Sequence, residues 1–174
     1  MEKNYSQKKF EEKFLLFKIN FFELFNIKDK KNIFNFLNWF NDKIIINFNK
    51  NTPNLKLKKG EIYFINLGIN IGSELNKQRP CLIFSDWFFN NGKTVVIIPL
   101  KSYEGKKYNK NINIFIKKSK INNLKENSMA DLSGIRQVSK KRIGLFIGNI
   151  EEGDLLKINK KLTKFLGLKK QTVN

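Results

Sequence analysis

Apolar residues at three- and four-residue steps open the chain. Phe10, Phe14, Phe17, Phe21, Leu24 and Phe25 fall on one face of a helix predicted over Phe10–Phe25. Ile33, Phe34, Leu37, Phe40 and Ile44 repeat the pattern and predict a second helix over Lys31–Ile45. With Asn26–Lys31 as the turn, the pair forms a helical hairpin whose aromatic stripe, Trp39 included, is expected to be buried as core against the rest of the chain. Asn49–Asn54, with Thr52-Pro53, is rich in helix breakers and marks a boundary. Residues 1–56 therefore read as a helical extension with its linker, and residues 57–174 as the main domain.

Beyond the linker the period changes. Gly60–Leu67 is β-branched and aromatic, Gly68–Lys77 is loop-like, and Pro80–Ser85 is a second strand. Asn90-Asn91-Gly92 signals a turn into Thr94–Leu100, an unbroken apolar run of the kind a buried strand shows. Further strands are predicted at Ile112–Ile116, Ser128–Leu132 and Gly134–Val138. Lys141–Gly144 and Gly148–Ile150 break the pattern, and an amphipathic helix over Glu152–Leu166 follows, with acidic residues at its start and Gly167 at its end. Short strands in succession point to an α+β fold built on a small antiparallel barrel.

Composition narrows the chemistry. The chain has 174 residues, 34 basic and 15 acidic side chains, and no histidine. Histidine-based nucleophile pairs, imidazole proton shuttles and His-ligated metals are thereby excluded. Cys81, the single cysteine, forms neither an intramolecular disulfide nor a multi-thiolate metal site, and suits a reducing, cytoplasmic compartment. No apolar run has membrane-spanning length, and no secretory signal is evident. Neither a cofactor nor a metal is expected. Only Arg79, Arg136 and Arg142 are arginines, and an excess of Asn, Ile and Phe accompanies the lysines, as A/T-rich coding would produce. The charge is nonetheless uneven. Residues 1–56 hold 11 basic and 6 acidic side chains, residues 57–174 hold 23 and 9, so the second part carries most of a field suited to a polyanion.

Four segments in order carry the functional signal: Lys59-Gly60-Glu61-Ile62-Tyr63, Gly72-Ser73-Glu74 through Gln78-Arg79-Pro80, Thr94 through Lys101-Ser102, and Ile135-Arg136 through Lys141-Arg142-Ile143. This order resembles the MazF/PemK family of toxin endoribonucleases over roughly Leu57–Leu168. The resemblance implies an SH3-like barrel with a C-terminal helix, a homodimer, single-stranded RNA as substrate, a cognate antitoxin as partner, and metal-independent cleavage at a short preferred sequence. It also implies that Arg79 is catalytic and that Glu74 belongs to the same machinery. Taken alone, without the other segments, Arg79-Pro80 reads first as the entry to a strand with a salt bridge to Glu74.

RNA supplies its own nucleophile, the 2′-hydroxyl beside the scissile phosphate. The protein must only accept a proton, stabilise the phosphorane and protonate the 5′-oxygen. An arginine fork suits the phosphate oxygens, and its high pKa makes Arg79 a charge stabiliser rather than a base. Where the family commonly has a hydroxyl pair, this sequence has Lys101 followed by Ser102, so Ser102 is expected to supply the hydroxyl and Lys101 a point charge or an obstruction. Ser133-Gly134 also departs from the family pattern. Ser73, Lys77, Gln78, Lys101 and Arg136 are expected to contact RNA, with Gly68–Lys77 acting as a lid. Trp87-Phe88-Phe89 reads as a dimer interface or as a stacking platform for bases. The rival reading is a non-catalytic module on the same barrel that binds nucleic acid or a protein, as CcdB relatives bind a topoisomerase.

Overall fold

The computed structural model describes residues 7–25, 30–50, 53–105 and 107–168. The chain divides into two compact units, residues 1–44 and 45–174. That division falls inside the second helix, whereas composition marks the linker after it.

In the first unit, helix α1 (Gln7–Phe25) is followed by α2 (Lys30–Phe48). Phe17 stacks on Phe21 at 6.3 Å between centroids and on Phe40 of α2 at 6.1 Å, which joins the two helices. The expected burial of the stripe is not met. Phe10, Phe14 and Phe34 are exposed, α2 has no buried residue, and Trp39 is half-buried rather than core. The expected turn falls largely on residues 26–29, outside the described residues.

The second unit contains β1 (Glu61–Asn66), β2 (Gln78–Ile83), β3 (Thr94–Ser102), β4 (Asn113–Ile116), β5 (Ser128–Asp131), β6 (Arg136–Ser139), β7 (Ile143–Asn149) and α3 (Glu152–Phe165). The strands form one antiparallel sheet in the order β4-β5-β3-β2-β1-β7, with β6 also on β3. Strand β3 pairs with β2 through Cys81↔Pro99 to Ile83↔Ile97. Its other edge serves β6 from Thr94 to Ile97 and then β5 from Leu100 to Ser102. Pro99 stands where that edge changes partner, so its missing N–H interrupts no ladder there. The partner change curls the sheet into the expected barrel.

Two cores result. Leu82, Ile98, Leu100, Ile116, Ile158 and Leu162 belong to one, which seats α3, while Leu57, Cys81, Ile83, Val95, Ile97 and Val138 belong to the other. Strands β2 and β3 contribute to both, which explains their continuous apolar runs. Strand β7 is the element the sequence pattern missed. Leu145 and Phe146 are exposed, Gly144 and Gly148 interrupt it, and its register against β1 shifts twice, so no alternation survives. Helix α3 ends as expected: Gly167 takes φ 68°, and Leu168 N donates to Thr163 O (2.9 Å) and Gly167 N to Lys164 O (3.1 Å). Among the described residues, no helix is long and apolar enough to cross a membrane.

A clamp fixes the β4–β5 connection to the start of α3. A Cβ on Gly148 would lie 2.5 Å from Ile121 O and 2.7 Å from Asn122 C, so only glycine admits this approach. Glu151 accepts from Ser119 Oγ and, at 3.1 Å, from Asn122 Nδ2. Burial works to raise the Glu151 pKa, but hydrogen bonds from Ser119, its own backbone and Asn122 outweigh it and hold the carboxylate below its ordinary value.

Gly148→Ala is expected to lower stability in denaturant unfolding by about 3 kcal/mol, since backbone rather than a flexible side chain meets the methyl. For Glu151 the folded pKa lies below the unfolded one. Its stabilisation is therefore present above the ordinary carboxylate pKa and lost as pH falls through the depressed value. The stability gap between the native protein and Glu151→Gln should narrow as pH falls below the ordinary carboxylate pKa in unfolding curves, and a constant gap would refute this.

Candidate active site

The β1–β2 connection closes on itself before β2 begins. Leu67 N donates to Lys77 O (3.0 Å), and Lys77 N to Gly68 O (2.6 Å). Lys77 reverses the chain with φ 68°, a left-handed conformation unfavourable for a residue with a side chain. Within the loop, Asn70 N donates to Asn76 Oδ1 (2.7 Å), and Asn70 Nδ2 to Leu75 O (2.8 Å). All three arginines converge on the loop's carbonyls. Arg79 Nε and Nη2 reach Asn76 O at 2.9 and 2.6 Å, Arg136 Nη2 reaches Leu75 O at 3.4 Å, and Arg142 Nη1 reaches Leu67 O at 3.1 Å. The segment read as a lid is thus tied down at its base, with its tip, Ile71–Glu74, and Lys77 at its end exposed.

Beyond this loop lies a cleft of about 430 Å³. It gathers Lys77, Gln78, Arg79, Lys101 and Ser102 from the residues expected to act, on a floor that includes Phe64, Pro80 and Leu100. The β4–β5 connection supplies the opposite wall with Asn123, Lys125 and Glu126, none of which the sequence reading singled out. Ser102 Oγ donates to Glu126 Oε1 at 2.6 Å. These residues lie in a charged loop without a motif, which the Gly148 clamp and the hydrogen bond from Asn123 Nδ2 to Ile147 O (3.0 Å) hold beside the cleft.

Ser73, Glu74 and Arg136 line a second hollow, with Asp131, Ser133 and Gly134. The expected site is therefore distributed over two concavities, because the closed loop presents residues 73–75 to one and residues 77–79 to the other. The hollows share a wall: Lys101 lines the first, and its Nζ lies 3.1 Å from Asp131 Oδ2 in the second. Asp131 also accepts from Ser133 N (3.2 Å) and Ser133 Oγ (2.5 Å). The Lys101 charge is thus ion-paired, and Ser133, at a position where the sequence departs from the family pattern, orients the partner. Among the described residues no three His, Cys, Asp or Glu side chains gather closely enough to hold a metal ion.

The arginines leave an electrostatic mark on the barrel interior. Burial pushes the Cys81 thiol up to about 12, against the opposing charges of Arg79 and Arg136 and a backbone hydrogen bond from Leu100. Cys81 therefore stays a neutral thiol at physiological pH, without thiolate reactivity. Burial, and then the charge of Arg136, lower the Arg142 pKa from its ordinary value. On another face, Trp87, Phe88 and Phe89 are 62%, 64% and 74% exposed and stack edge-on in sequence.

The family model described as PemK-like, MazF-like toxin of type II toxin–antitoxin system matches residues 58–166. No curated protein matches the chain. Three solved structures share the fold. One is a mycobacterial endoribonuclease in complex with its cognate antitoxin, at 22% identity and a TM-score of 0.53, covering 65% of this chain and 97% of that one. A second is MazF from Deinococcus radiodurans, at 16% identity and a TM-score of 0.56, covering 66% and 99%. The third is a MazE–MazF structure from the same organism, at 15% identity and a TM-score of 0.50, covering 66% and 100%.

The strain at Lys77 yields a two-way test. Lys77→Gly removes the left-handed penalty and is expected to raise stability by about 1 kcal/mol in thermal unfolding. A loss of stability would show instead that the side chain itself holds the loop.

Proposed function

The chain belongs to the PemK-like, MazF-like toxin family of type II toxin–antitoxin systems, and on that premise we propose that it is a sequence-selective endoribonuclease that cuts single-stranded RNA without a metal. The observation that carries this reading is the meeting of Lys77, Gln78, Arg79 and Ser102 in one cleft within the family-matched residues. Similar folds described as an endoribonuclease with its antitoxin and as MazE–MazF support it. The main domain is residues 57–174, acting in the cytoplasm as a homodimer restrained by a cognate antitoxin. The exposed Trp87-Phe88-Phe89 cluster supports the dimer, since aromatic surface of this kind is characteristic of buried interfaces.

In this mechanism the scissile phosphate lies against Arg79, whose two-pronged guanidinium turns from Asn76 O to the non-bridging oxygens and neutralises the phosphorane. Ser102, positioned by Glu126, donates a hydrogen bond to the same phosphate. Glu74, across the shared wall, accepts the 2′-hydroxyl proton as that oxygen bonds to phosphorus. The bond from phosphorus to the 5′-oxygen then breaks, the 5′-oxygen takes up a proton, and the products are a 2′,3′-cyclic phosphate and a 5′-hydroxyl. Lys77 and Gln78 hold flanking nucleotides, while Ser73 and Arg136 hold the strand in the second hollow.

One observation favours the non-catalytic binding module. The Lys101–Asp131 pair stands between Arg79 and Glu74 and restricts their joint access to one phosphate.

The test is incubation of the full chain with long single-stranded RNA in EDTA, mapping new ends. Cuts at a recurring short motif with cyclic-phosphate or 3′-phosphate ends are expected, with Arg79→Ala slowing them by about 10²- to 10³-fold. Glu74→Gln should reduce turnover with RNA affinity retained. Intact RNA that remains bound would overturn the nuclease in favour of the binding module.

A further inference from the structure

Outside the two hollows, the lysines of α3 form a pattern of their own. Lys157, Lys160, Lys161 and Lys164 recur at i, i+3, i+4 and i+7. They therefore share one face, while Ile158 and Leu162 are buried in the core. Like charges at this spacing repel by about 0.2–0.5 kcal/mol per pair. Among the described residues, Lys157 alone of the four has an acidic partner, Asp154 at 2.7 Å. Coding bias scatters lysines, but it does not explain their convergence on a groove with structured walls.

That groove, about 500 Å³, runs between α3 and the sheet's terminal strand β4. Its far wall carries Lys110 and two aromatic rings, Tyr108 and Phe115. Both rings are held edge-on by Tyr103, with centroids at 5.8 and 5.1 Å, so the wall is rigid. Lys161 Nζ donates to Lys110 O and fixes the width. Asn113, also in the wall and 5% exposed, has an Oδ1 without a hydrogen-bond partner, the single buried side-chain polar atom left so among the described residues. A cationic rim, aromatic faces and an unused acceptor together match a strand with phosphates, exposed bases and base N–H groups.

We propose that this groove is a second binding site for single-stranded RNA, engaging a part of the chain that lies beyond the cleft. The preference for RNA over DNA rests on the endoribonuclease reading; the affinity for a single-stranded polyanion does not. Exposed Lys117, Lys118, Lys120 and Lys125 lie on the segment joining β4 to the cleft wall and give the strand a basic path between the sites.

The test uses the full chain and a 20-nucleotide RNA with every 2′-hydroxyl methylated, which binds without being cut. Affinity is measured against KCl for the native protein and for the triple variant Lys110→Ala, Lys160→Ala, Lys164→Ala, leaving the ion-paired Lys157 and the structural Lys161 in place. The variant should lose about tenfold in affinity at low salt, and its slope of log K against log salt should fall by about 2, near 0.7 for each of three phosphates released. The corresponding arginine triple variant should retain the native slope, and binding of a five-nucleotide RNA, too short to reach both sites, should not change. Arg79→Ala should slow cutting by about 10²- to 10³-fold while leaving most of the salt slope, so failure of the nuclease reading and failure of this site are separable. Equal slopes for native and alanine proteins would overturn the proposal. So would equal affinity for duplex RNA, or a loss confined to a poly-glutamate peptide, which would assign the groove to an acidic protein.

Discussion

Strand β3 bonds to three neighbours, and the position of every functional group follows from how it shares its edges. Its middle residues hold β2 on one edge, while the other edge holds β6 at its start and β5 at its end, with Pro99 standing at the change. The curl this imposes brings Lys101 and Ser102, at the strand's end, to the loop that begins β2. It also leaves β2 and β3 between two apolar cores, so the cleft is built against the least deformable part of the sheet. A site that must hold a phosphate within hydrogen-bonding distance benefits from that rigidity.

The three arginines act first on the protein's own backbone. Each donates to a carbonyl of the β1–β2 loop, and the loop in turn decides which side chains meet in which hollow. The Arg79 guanidinium, held by a neutral carbonyl, keeps its full charge, unlike one neutralised by a carboxylate. Lys101 shows the contrast. Its pairing with Asp131 turns a cleft cation into a partition between the hollows.

The lysine excess has a structural meaning that composition does not supply. On α3 the charges crowd one face at a cost in helix stability, opposite aromatic rings held by Tyr103. Surfaces that concentrate charge against stability are those that meet a charged partner.

The family resemblance supplied the grouping of Lys77, Gln78 and Arg79 with Ser102, while periodicity and local turn signals determined the two N-terminal helices, six of the seven strands, and α3 with its glycine cap. These depend on residues close in sequence or on a hydrophobic period that burial enforces. Strand β7 escaped because it is largely exposed, bulged and interrupted by glycine, so no period survives in it. Trp39 and the aromatic stripe were misjudged because periodicity shows that a face is apolar without showing that anything covers it. Only the tertiary structure decided that Glu74 and Arg79 face different hollows, that Glu126 joins Ser102, and that Asp131 takes the charge of Lys101. Each of those contacts joins separate segments through a closed loop, a glycine clamp or a partner change in a strand, and such through-space geometry leaves no periodic trace in the sequence.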